Sequence, residues 1–284
     1  MKKYSIRDFD RDFPDDDACL DWLKDFLYPN GIPCKVCGEV TKHYRIKSRP
    51  SYSCSRCGHH VHPMAGTIYE DSRTPLKLWF YATYLMAQTR CGISAKQLQR
   101  EIGVTYKTAW RMFRQIRTLL SEPVAPMSGQ VEVDETYIGG KRKGRIGRGI
   151  DKAPVVGMVQ RGGRVVARAT PDVTRATVLP LIRQHVVPRT TVYTDEYRTY
   201  DTLPSHGYSH RRIAHSLKVY VQGDVHTNTL EGFWSLVKRG IDGVYHAVSE
   251  KYLQSYLNEY TFRYNHRSDE TPMFQTILSQ IQRA

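Results

Sequence analysis

The order of apolar and polar positions changes character along the chain. Up to about residue 30, Phe13, Leu20, Trp22, Leu23, Phe26 and Leu27 recur as apolar anchors and predict a short helical lead-in. Between about 74 and 121 a helical period returns. Leu76, Leu78, Trp79, Phe80, Tyr84 and Leu85 predict one helix, with Thr74 and Pro75 as its start signal. Gly92 interrupts it. Residues 93–117 then predict a helix, a turn at Gly103 and a second helix, with Ser94 and Thr105 as N-caps. On the second helix Ala109, Trp110, Phe113 and Ile116 mark the inward side, which leaves Tyr106, Lys107, Arg111, Arg114 and Arg117 facing outward. Residues 121–129 carry two prolines and no period, and predict a domain boundary. Beyond it the period switches to two. Strands are predicted over 131–138, 155–160 and 165–170, the last two joined by the turn Arg161-Gly162-Gly163-Arg164. A helix over about 174–187 capped by Thr174, a strand over 191–195, and helices near 227–239, 249–264 and 271–282 complete the pattern. Strands followed by helix, strand and helices predict an α/β layered plan.

Charge narrows the partner. Lys and Arg number 42 against 28 Asp and Glu, a formal net charge of +14. That excess favours a polyanion, and nucleic acid is the commonest one. The outward cations of the second helix are then candidates for phosphate and base-edge contact, with an ordinary helical hairpin as the alternative. The start of the chain is polar and soon acidic, with Asp8, Asp10, Asp12, Asp15, Asp16 and Asp17 and no apolar signal core. No stretch is long and apolar enough to span a bilayer, so a cytoplasmic, nucleoid-associated protein with no membrane partner is expected.

Four of the six cysteines form a pattern. Cys34-x2-Cys37 and Cys54-x2-Cys57 are separated by sixteen residues, and Gly38 and Gly58 follow each pair. Each pair with its glycine predicts a tight knuckle presenting two thiolates, and two knuckles complete a tetrahedron around one structural Zn²⁺. Residues 43–46 between them predict a short β-ribbon. His59, His60 and His62 crowd the second knuckle as rival ligands. Cys19 and Cys91 lack partners at metal spacing and are expected to be core thiols.

Acidic residues carry the remaining chemistry. Asp134 lies in the strand 131–138 and shares a face with Glu132 and Thr136, so either acid on that face could bind a cation. Asp195 ends the strand 191–195. Glu231 lies in the helix 227–239, with 35 residues between it and Asp195. Asn228, Glu231 and Lys238 form one stripe of that helix, which places Lys238 to meet a phosphate. Carboxylates on two strands and a helix could hold a pair of divalent cations and drive in-line attack on a phosphodiester. The run from 141 to 148, with Lys141, Arg142, Lys143, Arg145 and Arg148, reads as a loop gripping DNA phosphates. Tyr197, Trp234 and Tyr245 are candidates for stacking on bases, with core packing favoured for the tryptophan.

The blocks Val131-Glu132-Val133-Asp134-Glu135-Thr136-Tyr137-Ile138-Gly139-Gly140-Lys141, Tyr193-Thr194-Asp195 and 226–240, behind a zinc ribbon and a helix-turn-helix, resemble a bacterial insertion-sequence DDE-type transposase of the zinc-ribbon subgroup. The resemblance covers about residues 15–275. It implies an α/β ribonuclease-H-like catalytic domain, a mixed sheet flanked by helices, over 123–284. Ahead of it would lie a lead-in and zinc ribbon over 1–70 and a DNA-binding helix-turn-helix over 71–122. It implies two Mg²⁺ ions, for which Mn²⁺ can substitute, on Asp134, Asp195 and a third residue that varies between Asn and Glu in this subgroup. Glu231 is favoured here and Asn228 stands second. It also implies cleavage at the ends of an element and transfer of the freed 3′-hydroxyl to target DNA, by a homodimer or larger assembly on double-stranded DNA. Two rival readings stand beside it: a non-catalytic DNA-binding regulator, and a Mg²⁺-dependent nuclease or resolvase.

Overall fold

The computed structural model describes residues 4–139, 152–213 and 226–282, so Lys141, Arg142, Lys143, Arg145 and Arg148 lie outside the described residues. Two units are distinguished. One contains the chain to Arg90, Ala95–Leu119 and the tail from Asp269; the other contains Cys91–Ser94 and Leu120–Ser268.

In the first unit, α1 (Ile6–Asp12) and α2 (Asp16–Leu27) begin on Ser5 and Asp15. Their side chains accept the backbone N–H of Asp8 and Ala18, caps worth about 1 kcal/mol each. Helix α3 (Leu76–Gln88) starts one residue later than its sequence signal. Pro75 takes the cap position and supplies no side-chain acceptor, while the Thr74 N–H donates to Ser72 Oγ. Helix α9 (Met273–Leu278) packs on α3. Between them Phe9, Phe13, Phe80, Tyr84 and Phe274 meet in tilted and edge-on pairs with ring centroids 5.0 to 5.9 Å apart, the arrangement ring quadrupoles favour. Strands β1 (His43–Ile46), β2 (Ser51–Cys54) and β3 (His60–Val61) form an antiparallel sheet in that order.

Helices α4 (Ala95–Ile102) and α5 (Tyr106–Thr118) pack on each other through Leu98, Ala109, Met112, Phe113 and Ile116. Gly103 turns the chain between them with φ +68°, a left-handed conformation that only glycine adopts without penalty. Thr105 caps α5 by accepting the Thr108 N–H at 3.2 Å. Tyr106, Lys107, Arg111 and Arg114 are exposed as expected. Arg117 is the correction: it is 4% exposed, with its guanidinium 5.7 Å from the Phe113 ring centroid. One turn past Phe113, on the buried side of α5, its stem serves packing rather than an outer surface.

The second unit is built on a five-stranded mixed sheet, β6-β5-β4-β7-β8. Strands β4 (Gln130–Ile138), β5 (Ala153–Gln160) and β6 (Val165–Ala169) are antiparallel neighbours; β7 (Thr191–Thr194) and β8 (Ser209–Arg212) run parallel to β4. Helices cover both faces. Val131, Val133, Val156, Met158 and Val166 pack with Val178 and Ile182 of α6 (Arg175–His185). On the opposite face Val155, Val159, Val165 and Ala167 pack with Leu230, Phe233 and Val237 of α7 (Asn228–Gly240) and Leu253, Leu257 and Tyr260 of α8 (Glu250–Asn265). The strand alternation thus sends Glu132, Asp134 and Thr136 toward α7. The outer edge of β6 is capped by amide side chains of α8. Gln254 Oε1 accepts from the Ala169 N–H and Asn265 Oδ1 from the Val165 N–H. Strand β8 has no sequence signal because its residues are mostly exposed; pairing with β7 makes it a strand.

Candidate active site

An open pocket of about 770 Å³ lies where β4 meets α7. Asp134, Glu135 and Thr136 line it from the strand; Glu231, Trp234, Ser235, Lys238 and Arg239 line it from the helix, with Asp242 and Gly243 beyond. Two sequence-predicted carboxylates and the predicted lysine therefore share one cavity. Neither Asn228 nor Asp195 is among its lining residues. Asp195 lies alongside all the same. The parallel register Gln130↔Thr191, Val131↔Val192, Glu132↔Tyr193, carried two residues further, brings Asp195 level with Asp134. There Asp195 Oδ1 accepts the Tyr197 N–H at 3.0 Å.

The electrostatics are those of crowded acids. Burial pushes the Asp134 carboxyl up to about 7, and the charges of Glu135 and Asp195 add to the shift. Glu135 Oε2 accepts from the Tyr200 hydroxyl at 2.7 Å. Burial, reinforced by these acids, holds that phenol well above its usual range. Glu231 Oε1 accepts from the Thr227 hydroxyl at 3.1 Å. The three acids do not converge on a point. Among the described residues, the one set of three or more metal-ligating side chains whose ligand atoms lie within 4.8 Å of one another is the cysteine group. Ligands shared between two cations 3.5–4 Å apart need not lie in a single cluster.

The structure separates the two acids of the β4 face. Glu132 is completely buried and saturated. Its oxygens accept from Arg161 Nε at 2.8 Å, Thr229 Oγ1 at 2.9 Å and the Leu230 backbone N–H at 3.0 Å, and His226 Nδ1 stands 3.2 Å away. A carboxylate so engaged anchors the N-terminus of α7, where the helix dipole favours negative charge. Asp134 is the acid open to the pocket, and Trp234 Nε1 donates to its Oδ2 at 3.1 Å. The two tethers keep step. Leu230 and Trp234 are four residues apart on the helix, a rise of about 6 Å; Glu132 and Asp134 are two apart on the strand, about 6.7 Å. Glu231 sits between the tethers. Trp234, 4% exposed, packs in the core as expected, whereas Tyr197 is exposed.

Glu132, Trp234 and Gly157 are the residues whose roles sequence reading missed. A glycine inside the strand run Val155-Val156-Gly157-Met158-Val159 was the available signal, because strand glycines mark close approach by another group.

In the ribbon, Cys34, Cys37, Cys54 and Cys57 come together as predicted, with Sγ atoms 3.5 Å apart for Cys34 and Cys57 and 3.8 Å for Cys37 and Cys54. The Thr41 hydroxyl, with backbone N–H groups behind it, lowers the Cys54 thiol, while the neighbouring sulfurs raise that of Cys37. The set fits a structural Zn²⁺, whose ligands must be thiolates. The histidines are not part of it.

Known proteins resemble the chain over both regions. A family model described as an ISXO2-like transposase domain matches residues 126–265, and a transposase zinc-ribbon domain matches residues 14–60. An uncharacterized protein in transposable element ISH50 of Halobacterium salinarum is 32% identical over 263 residues, 85% of this chain and 88% of that protein. An uncharacterized transposase-like protein of Haemophilus influenzae is 32% identical over 118 residues, 42% of this chain and 93% of that one. Among solved structures, a chain of the simian T-cell lymphotropic virus intasome matches 69% of this chain and 74% of its own length at 13% identity, with a TM-score of 0.35. A chain of the pre-cleavage Mos1 transpososome matches 66% of this chain and 73% of its own length at 14% identity, with a TM-score of 0.26.

Proposed function

The chain belongs to the ISXO2-like transposase family, and from that premise we propose that it binds the ends of its element and joins them to new DNA by Mg²⁺-dependent phosphodiester chemistry. The observation that carries this reading is the shared pocket of Asp134, Glu231 and Lys238, with Asp195 just past the end of the neighbouring strand β7 and close enough for its charge to act on Asp134. The donor set suits the metal. Carboxylate oxygens are what a hard cation takes. Burial and two neighbouring acids hold Asp134 back from ionising, and a cation supplies the missing counter-charge. Asp134, Asp195 and Glu231 would hold two Mg²⁺ ions, which supply stabilisation of the entering and leaving oxygens. Asn228 is the second choice for the third position; Glu231 is preferred because it lines the pocket. Lys238, on the same wall, binds a non-bridging phosphate oxygen of the DNA as a point charge. Glu231 is held by the Thr227 hydroxyl, which keeps one of its oxygens from turning outward.

The mixed sheet, with three antiparallel strands followed by two parallel ones and helices on both faces, supports a ribonuclease-H-like reading of the expected domain 123–284 as far as Ser268, the tail from Asp269 belonging to the first unit. The pair α4 and α5, joined at Gly103, is read as the helix-turn-helix of 71–122. Tyr106, Lys107, Arg111 and Arg114 contact DNA there, and Lys141, Arg142, Lys143, Arg145 and Arg148 grip phosphates from the loop. The zinc ribbon within 1–70 braces this end-binding region. Two ends must be handled together, so the acting form is a homodimer or larger assembly on DNA.

The test is incubation of purified protein with Mg²⁺, labelled fragments carrying the element's own ends and a supercoiled target, beside Asp195→Ala. Strand-transfer products from the wild type alone are expected. Cutting without joining would move the assignment to a nuclease, and retarded DNA that is never cut would leave a regulator.

A further inference from the structure

Family membership leaves unexplained an indole N–H aimed at a carboxylate in the floor of an acidic pocket. Trp234 is almost fully buried and donates from Nε1 to Asp134 Oδ2 at 3.1 Å. Its ring reaches that bond only because the sheet beneath it is bare. A Cβ at Gly157 would stand 2.3 Å from Trp234 Cζ2, 2.8 Å from Cη2 and 3.0 Å from Leu230 Cδ1, closer than carbon atoms approach. Gly157 is the β5 residue paired with Asp134 across the antiparallel ladder. The omitted side chain is therefore the direct cross-strand neighbour of the carboxylate, and the indole takes its place. The indole and the Glu135 backbone N–H are the two donors that hold the Asp134 carboxylate, and Asp134 lines the cavity shared with Glu231.

We propose that Trp234, seated on Gly157, is a positioning residue that orients the Asp134 carboxylate for metal binding. This rests on the metal-site reading given above. A buried indole N–H needs an acceptor in either case; only where it serves the carboxylate does its removal weaken metal binding. Partners that orient a metal ligand through its spare hydrogen-bonding atom typically change metal affinity by about 10–100-fold when removed.

The experiment is a calorimetric titration of the zinc-loaded full-length protein with Mn²⁺. It compares the wild type, Asp134→Asn, Trp234→Phe, Gly157→Ala and a protein carrying the benzothiophene isostere of tryptophan at position 234. The isostere keeps the shape of the ring and lacks the N–H, so it answers even if the phenylalanine variant folds poorly. The isostere is expected to weaken Mn²⁺ binding about tenfold or more while leaving the metal-free melting temperature unchanged. Gly157→Ala, which displaces the ring and keeps its N–H, is expected to lower affinity by a similar factor. Wild-type affinity in the isostere protein overturns the proposal, since tryptophan then only fills space. A wild type that takes up no Mn²⁺, or an Asp134→Asn variant that binds as the wild type does, overturns the metal-site reading and this inference with it.

Discussion

Glu132 and Asp134 carry the same functional group on the same face of one strand, and their surroundings give them opposite work. Glu132 is buried with both oxygens engaged, so Glu132→Ala removes the acceptor of Arg161 Nε and of the Leu230 N–H. Removing one partner of a buried pair costs about 3–5 kcal/mol. Urea unfolding of the sheet, followed by circular dichroism, should show that loss, with Glu132→Gln intermediate. His210 offers a second check at this scale. Its Nε2 lies 2.9 Å from the Thr194 hydroxyl, and burial, then the Arg212 charge, lowers it to about 4. Between its ordinary value of about 6.5 and about 4, the unfolded chain binds the proton and the folded one resists it. Stability contributed by the neutral ring is therefore present above that window and lost as pH falls through it. Thermal melts from pH 7 to pH 4 should show this slope, and His210→Asn should flatten it. Sequence alone marks Glu231 and Lys238 by helix spacing and the acidic face of β4 by strand alternation. It leaves Glu132 and Asp134 undivided, since both point the same way and only their partners distinguish them.

Elements differ in how far their own residues dictate them. The two cysteine knuckles are set by spacing, and the ribbon around them is too small to hold a core of its own. Chelating the zinc should abolish hydrogen-exchange protection over residues 33–62, with one equivalent of zinc released per chain. Protection that survives zinc loss would show that β1–β3 stand without the metal. Helix α7 and strand β4 were both visible as periodic runs, yet their mutual register was not. The bonds that set it, Glu132 to Leu230 and Asp134 to Trp234, join residues 98 and 100 positions apart. Strand β8 was hidden for a related reason, since its form comes from a neighbour and not from its own pattern. Arg117 misled because a cation on a basic helix looks outward until the packing beneath it is known.

At the scale of the molecule, the net charge of +14 is a statement about association. Each phosphate neutralised by Lys or Arg releases a counterion, so affinity for DNA should fall about 10³-fold or more between 50 and 200 mM salt. Filter binding across that range tests it, and a shallow slope would mean that few of these cations touch the backbone. No helix among the described residues is long and apolar enough to cross a membrane. The matched pitch of α7 and β4 also says where this lineage can change length. Deleting one residue between Leu230 and Trp234 would swing the helix beyond it by about 100°, carrying Lys238 off the pocket wall. Insertions can accumulate in the connecting loops, but the four-residue interval on the helix and the two-residue interval on the strand can be inherited only together, like the teeth of two meshed gears.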